Sequence, residues 1–224
     1  MDKMKKIFIT ATDTDAGKTH IGCAIVHKLT KAGKKVQVFK PISAGCERVN
    51  GHLINEDAAK LLAQSNANQS LSQVNPIAFE EPIAPHIAAQ QLNKTISLIE
   101  ISNAYNEMCS ARADITLTEG AGGWRLPLGK GAFLSDFVKQ TDQSVILIVN
   151  MKLGCLNHAI LTYEAIKRDG IKCVGWVANV QQPMPYLEDN LNELFSLFSM
   201  PLLGVIHNES SIEKVAQCLD LSTL

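Results

Sequence analysis

Apolar positions along the chain follow two periods. Short apolar runs at 7–10, 36–39, 115–118, 145–149, 173–178 and 202–206 read as buried strands. Between them, apolar residues recur at helical spacing. Over 18–31 the stripe is Ile21, Ala24, Ile25 and Leu29, continued by Ala32, and Gly33 supplies a stop signal. A short helix is expected over 57–64, with Ala58, Leu61 and Leu62 on one side. Ser97 and Glu100 have capping-box spacing and open a helix that runs to about residue 112. Further helices are expected over 157–168, closed by Gly170, and over 185–198, with Pro185 near the first turn. The stretch 65–85 is rich in Asn, Gln, Ser and Pro and reads as irregular. Repeated strand–helix alternation with apolar strands predicts an α/β fold, a mainly parallel sheet with helices on both faces. No repeat or linker breaks the pattern, so 1–224 is expected to form a single domain.

Composition narrows the classes of function. The chain has 224 residues, 46% hydrophobic and 19% charged, which suits a globular protein and excludes a disordered or fibrous one. Lys plus Arg total 21 and Asp plus Glu 22, a formal charge of −1, so no nucleic-acid or anionic-membrane surface is expected. Aromatic residues reach only 5%, too few for a base-stacking platform. The six cysteines show no C-x-x-C pair, and none of the six histidines forms a zinc-type pair. A reducing cytoplasm is the expected location. The charged start, Met1 to Lys6, is followed by an apolar stretch, Ile7 to Ala11, too short for a signal-peptide core, and no run approaches a membrane span.

The strongest local signal is Thr12-Asp13-Thr14-Asp15-Ala16-Gly17-Lys18-Thr19, between the first strand and the first helix. That is where a phosphate-binding loop sits: backbone N–H groups and the helix start attract anionic oxygens, the lysine reaches the β/γ-phosphates, and the Thr19 hydroxyl ligates Mg²⁺. Thr12 stands where the standard motif has glycine. Lys40 ends the second strand, where a parallel sheet gathers functional groups, and is read either as a partner of Lys18 or as a solvated lysine. Glu119 ends an apolar strand and meets Gly120-Ala121-Gly122-Gly123, a position from which a carboxylate reaches a metal. Asp57 either joins Thr19 and Glu119 around Mg²⁺ or is simply a helix-start acid. The turn before the 157–168 helix, Lys152-Leu153-Gly154-Cys155-Leu156-Asn157-His158, exposes N–H groups suited to a carboxylate. No local base marks Cys155 as a nucleophile.

Taken in order, these segments resemble the dethiobiotin synthetase family over nearly the whole chain. Lys40-Pro41-Ile42, Asn55-Glu56-Asp57-Ala58, Pro85-His86-Ile87, Gly175-Trp176-Val177-Ala178-Asn179 and Pro201-Leu202-Leu203-Gly204 add to the loop, the Glu119 segment and the 152–158 turn. The resemblance implies a P-loop NTPase-like fold and a homodimer with composite sites. It implies an enzyme that closes a ureido ring on 7,8-diaminopelargonic acid with CO₂, ATP and Mg²⁺. By position, Lys18 and Lys40 would neutralise phosphate and carbamate charge, and Thr19, Asp57 and Glu119 would hold Mg²⁺. Asp15, Ala16, Gly17, Lys18, Thr19 and His20 would line the phosphates, with Gly120, Ala121 and Gly122 beside them. Asn179, next to Val180, would hydrogen-bond adenine, and His207, Asn208 and Glu209 would close over the base. Thr14, Lys40 and Ala44 would border the diamine. Leu153, Gly154, Cys155 and Asn157 would receive its distal carboxylate across the dimer interface.

Three positions depart from the family pattern: Ala11 stands for Gly, Ala44 for Ser or Thr, and His207 for Pro. Two rivals remain open at this point. One is a relative of the same fold acting on a different amine or acid. The other is a P-loop switch or partitioning ATPase, a group that commonly carries a second lysine in its loop; none lies between Ala11 and Lys18.

Overall fold

A computed structural model describes residues 4–224; residues 1–3 of the charged start lie outside the described residues. In chain order the elements are β1 (Lys5–Ala11), α1 (Lys18–Lys31), β2 (Val36–Phe39), β3 (Ile42–Ser43), β4 (Glu47–Val49), β5 (His52–Ile54), α2 (Glu56–Gln64) and α3 (Leu71–Val74). Then come β6 (Ile77–Ala78), α4 (Pro85–Gln91), α5 (Leu98–Cys109), β7 (Ile115–Glu119), β8 (Pro127–Gly129), β9 (Ala132–Phe133) and α6 (Leu134–Gln140). β10 (Ser144–Asn150), α7 (Cys155–Arg168), β11 (Cys173–Val180), α8 (Leu187–Leu197), β12 (Leu202–His207) and α9 (Ile212–Gln217) complete the chain.

Six of the strands form one parallel sheet in the order β12-β11-β10-β1-β7-β2. These are the six expected apolar runs. The central strands are buried on both faces because helices cover both, while the edge strand β12 is only partly buried. Along β1 the side chains alternate: Ile7, Ile9 and Ala11 enter the core under α1, α2 and α9, while Phe8 enters the core under α4, α5 and α6. A third core lies between β10, β11, α7 and α8, built on Val149, Tyr163, Trp176 and Leu194. Strand order reverses about β1, which pairs with β10 on one side and β7 on the other. The crevice at the carboxyl ends of these strands is therefore the place for a ligand.

Several boundaries differ from expectation, each for a local reason. α7 begins at Cys155 rather than 157, because Gly154 takes a left-handed φ of 91° and turns the chain early. α8 begins at Leu187: Tyr186 is itself left-handed, φ 57°, so Pro185 stands outside the helix. The Ser97 hydroxyl accepts from the Glu100 N–H at 3.4 Å, but the reciprocal bond of a capping box is not formed, and α5 ends at Cys109. The stretch 65–85 is not wholly irregular. It contains α3, capped by Ser70 and Gln73, and β6, which pairs with β3. The helices α4, α6 and α9 are shorter than the window over which helical periodicity declares itself, and they add to the expected set.

Candidate active site

The loop between β1 and α1 starts as an extension of the sheet. Thr12 donates its N–H to the Ile148 carbonyl (3.0 Å) and accepts the Asn150 N–H on its hydroxyl (3.2 Å). Asp15 and Gly17 then take left-handed φ values of 56° and 88°. Alternation of left- and right-handed residues turns successive N–H groups to one side, which makes an anion-binding concavity. The loop is strapped from the end of β11. Asn179 donates its side-chain amide to the Ala16 carbonyl (2.9 Å), and Gln181 donates to the Asp15 carbonyl (2.6 Å). A Cβ on Gly17 would run into the Asn179 amide, so glycine is required there sterically as well as by its φ.

Charged groups converge beyond this loop. The Glu119 carboxylate, 1% exposed, accepts on Oε1 from Lys40 Nζ (2.6 Å) and from the Thr19 hydroxyl (2.9 Å). Its other oxygen, Oε2, is buried without a hydrogen-bond partner. Asp57 Oδ2 lies 3.6 Å from Lys40 Nζ, and its side chain is 43% exposed. Asn55 places Asp57 in the first turn of α2 by accepting the Ala58 N–H at 3.1 Å. Lys18 is buried, and its ammonium donates to the Asp13 carbonyl (3.2 Å).

The two lysines are tuned in opposite directions. Burial lowers the Lys18 ammonium below the usual lysine range, and the nearby Glu119 charge only partly offsets this. Burial also pulls on Lys40, but Glu119 and Asp57 together outweigh it and hold that ammonium above the usual range. Cys23, beside the same carboxylates, is pushed up to about 12 by burial and then by Glu119 and Asp57, which disqualifies it as a nucleophile.

These groups line a cavity of about 1330 Å³. Thr14, Asp15, Gly17, Lys18, Thr19 and His20 border it from the loop and α1. Lys40, Ala44 and Asp57 border it from the β2 side, and Glu119, Gly120, Ala121 and Gly122 from the end of β7. Asn179, His207, Asn208 and Glu209 close the far end. His20 Nε2 lies 2.7 Å from the Glu209 carbonyl and ties α1 to that end. The backbone after Glu119 runs close to the sheet: a Cβ on Gly120 would sit 2.7 Å from the Phe8 ring. Four residues on, at Trp124 and Arg125, the loop is clamped by Asp169, which accepts from Trp124 Nε1 (2.8 Å) and from Arg125 (2.7 Å).

Other expected residues lie elsewhere. Ala16 and Val180 are buried behind the cavity wall, so only their backbone can serve a nucleotide. Leu153, Gly154, Cys155 and Asn157 do not line this cavity. Leu153 is 97% exposed, while Cys155 turns its side chain into the core with Val149 and Met151. Burial raises the Cys155 thiol, and only its backbone is available to an anion. The Lys152 ammonium bonds Asp13 Oδ2 at 2.8 Å and so joins that turn to the phosphate loop. Sequence reasoning missed Gln181, whose partner Asp15 is 166 residues away, and Asn55, whose signal was its place just before a helix-start acid pair.

The donors Thr19, Asp57 and Glu119 are hard oxygens, and the unpartnered Glu119 Oε2 and solvent-open Asp57 leave acceptor capacity free. A site with few carboxylates suits a cation that keeps waters and binds phosphate oxygens, which describes Mg²⁺.

The sequence matches the family described as AAA domain over residues 5–216. An "ATP-dependent dethiobiotin synthetase BioD" of Alteromonas mediterranea is 44% identical over 221 residues, covering 94% of this chain and 95% of the relative. The protein of that name from Cellvibrio japonicus is 43% identical, with 98% and 97% covered, and that from Pseudomonas aeruginosa is 42% identical, with 99% and 98% covered. Among solved structures, the septum site-determining protein MinD complexed with Mg-ADP from Pyrococcus horikoshii superposes with a TM-score of 0.57 at 16% identity, over 96% of this chain and 85% of that one. The signal recognition particle receptor FtsY from Elizabethkingia anophelis gives 0.55 at 14% identity, over all of this chain and 64% of that one. The structural neighbours establish the P-loop fold, and relatives more than 40% identical from end to end establish that the chain belongs to the ATP-dependent dethiobiotin synthetase family.

Proposed function

We propose that this protein closes the ureido ring of dethiobiotin from 7,8-diaminopelargonic acid and CO₂, consuming ATP with Mg²⁺ and releasing ADP and phosphate. The observation that carries the reading is the convergence of Lys18, Lys40, Thr19, Asp57 and Glu119 on one cavity at the strand ends beside β1.

One substrate amine adds to CO₂ and loses a proton, giving a carbamate. A carbamate oxygen attacks the γ-phosphorus and ADP leaves. The second amine then attacks the carbamoyl carbon, the ring closes and phosphate departs. Charge builds on the transferring phosphoryl group, so the work for the protein is positioning and neutralisation. Lys18, rising from the first turn of α1, meets the β/γ-phosphates. Lys40, held cationic by Glu119 and Asp57, meets the carbamate and γ-phosphate oxygens. Thr19, Asp57 and Glu119 would hold Mg²⁺, which when bound neutralises charge across the phosphate oxygens. Asn179 has its amide N–H₂ engaged by Ala16, which leaves its carbonyl oxygen for the adenine amino group.

The chain works in this reading as a cytoplasmic homodimer. The turn holding Leu153, Gly154 and Asn157 serves the partner's substrate carboxylate, which fits its place outside the cavity of its own chain. Among the described residues no helix is long and apolar enough to cross a membrane.

The test is ADP release and mass-spectrometric detection of dethiobiotin with diaminopelargonate, bicarbonate and Mg-ATP, each omitted in turn. Product should need all three. Rapid ATP hydrolysis without the diamine would overturn the reading in favour of a switch ATPase.

A further inference from the structure

Lys40 carries the most demanding role in the proposed reaction, yet it stands past the end of a four-residue strand, at the start of a loop. The short elements that follow provide its support. The Lys40 N–H donates to the Val74 carbonyl (2.8 Å), and the Lys40 carbonyl accepts from the Asn75 side-chain amide (2.7 Å). Two consecutive residues thus grip both backbone polar groups of Lys40. The Asn75 amide also reaches the Ile77 carbonyl (3.3 Å), and its oxygen accepts from the Ser43 hydroxyl (2.7 Å). Asn75 is buried, and both ends of its side chain are engaged. The same strip of chain continues to hold the loop after Lys40. Phe79 donates to the Ser43 carbonyl (2.9 Å), Cys46 to the Phe79 carbonyl (3.0 Å), and Gly45 to the Glu81 carbonyl (3.2 Å).

We propose that Asn75 is a positioning residue for the reaction. Through its bonds to Lys40 and Ser43 it fixes where the Lys40 ammonium stands against Glu119 and how the 41–46 loop borders the substrate. Lys40 Nζ sits 2.6 Å from Glu119 in a buried site, where small displacements of a charge change its interactions steeply. A lysine has a long, rotatable stem, so its head is placed only if its backbone is held. Asn75 does this with no contact to the phosphate loop, whose straps come from Asn179 and Gln181 on the opposite side. Removing Asn75 should therefore misplace Lys40 and spare the binding of ADP, which has no γ-phosphate for Lys40 to meet.

The proposal rests on the reading of Lys40 above, and its test separates the two. Asn75→Ala should lower kcat with diaminopelargonate by about tenfold or more, the scale on which misplacement of a catalytic group acts. Affinity for ADP should stay unchanged. Independently of activity, acylation of surface-accessible amines, mapped by peptide mass spectrometry, should label Lys40 several-fold faster in the variant. Lys28, whose ammonium is bonded to the Ala216 carbonyl on α9 at 3.0 Å, is the internal control and should label as in the wild type. Ser43→Ala, which removes only one partner of Asn75, should shift Lys40 labelling and kcat in the same direction by less, and serves if Asn75→Ala does not fold. Wild-type labelling of Lys40, or equal acceleration at Lys40 and Lys28, would overturn the proposal. If Lys40 alone becomes reactive while the wild-type protein makes no ADP with the diamine, the positioning role stands and the functional reading falls.

Discussion

The Gln181 side chain reaches across from the end of β11 to the Asp15 carbonyl, 2.6 Å away, and holds a residue whose φ is 56°. A non-glycine residue in the left-handed region is strained unless its surroundings fix it, and aspartate is among the residues that tolerate it best. With Asn179 on the next carbonyl, Gln181 keeps two carbonyls of the loop pointing away from the phosphates.

Gln181→Leu therefore should raise the KM for ATP by about three- to tenfold, the scale of one net hydrogen bond. The KM for the diamine should not change. Steady-state kinetics with each substrate varied in turn check this, and an unaltered ATP KM would show the loop holds its shape without the strap.

Lys18 sets a pH dependence. Burial lowers its proton affinity in the free protein, whereas phosphate oxygens raise it in the complex. Between the two values, binding takes up a proton. Affinity for a non-hydrolysable ATP analogue should be full at pH below the free-protein value, fall as pH rises through it, and level off once the bound form also titrates. Lys40 titrates above the ordinary lysine range and does not contribute to the start of that fall. Titration calorimetry in buffers of different ionisation enthalpy should detect the proton uptake, and Lys18→Met should abolish it. Uptake that persists in that variant would assign it to another group.

The main sheet was legible because its signal is local. Each of its strands is a short apolar run bounded by breakers, and burial on both faces makes such runs continuous. The phosphate loop and Glu119 were legible for a related reason, since both lie at strand ends marked by Gly. What supports them was not legible. Gln181 and Asp15 are 166 residues apart, Asn75 and Lys40 are 35 apart, and no periodicity connects a side-chain amide to a distant carbonyl. α3 and β6 are four and two residues long, below the length at which a pattern exists, although they hold Lys40 in place.

Leu153 tests the dimer. It is 97% exposed at the approach to α7, with Leu161 and Tyr186 also exposed on α7 and just before α8. In the proposed reading the turn receives the substrate carboxylate of the neighbouring subunit, so the partner would cover Leu153. Sedimentation at micromolar concentration should give about twice 24.4 kDa for the wild type. Leu153→Asp should shift it toward the monomer and depress diamine-dependent turnover, while the ATP analogue still binds, because the nucleotide cavity lies within one chain. A fully active monomer would refute the composite site.

In the proposed reading Ala44 sets how tightly the diamine is held. It lines the cavity where the family pattern carries a hydroxyl. Ser43, one place earlier, cannot substitute: its hydroxyl is buried, donating to Asn75 Oδ1 at 2.7 Å and lying 3.1 Å from Cys46 Sγ. Turning Ser43 toward the substrate would break the bond that fixes the Lys40 loop. If the diamine lies here as proposed, a methyl group at 44 leaves one of its polar groups without a side-chain partner. Restoring it with Ala44→Ser should lower the KM for diaminopelargonate by about three- to tenfold, the worth of one neutral hydrogen bond. The KM for ATP should not move, because the phosphate loop is held from β11 and not from this side. An unchanged diamine KM would mean that an ordered water already fills the gap left by the methyl. A raised diamine KM, or impaired use of ATP, would mean that Ala44 does not face the substrate and would favour an enzyme of the same fold acting on a different amine.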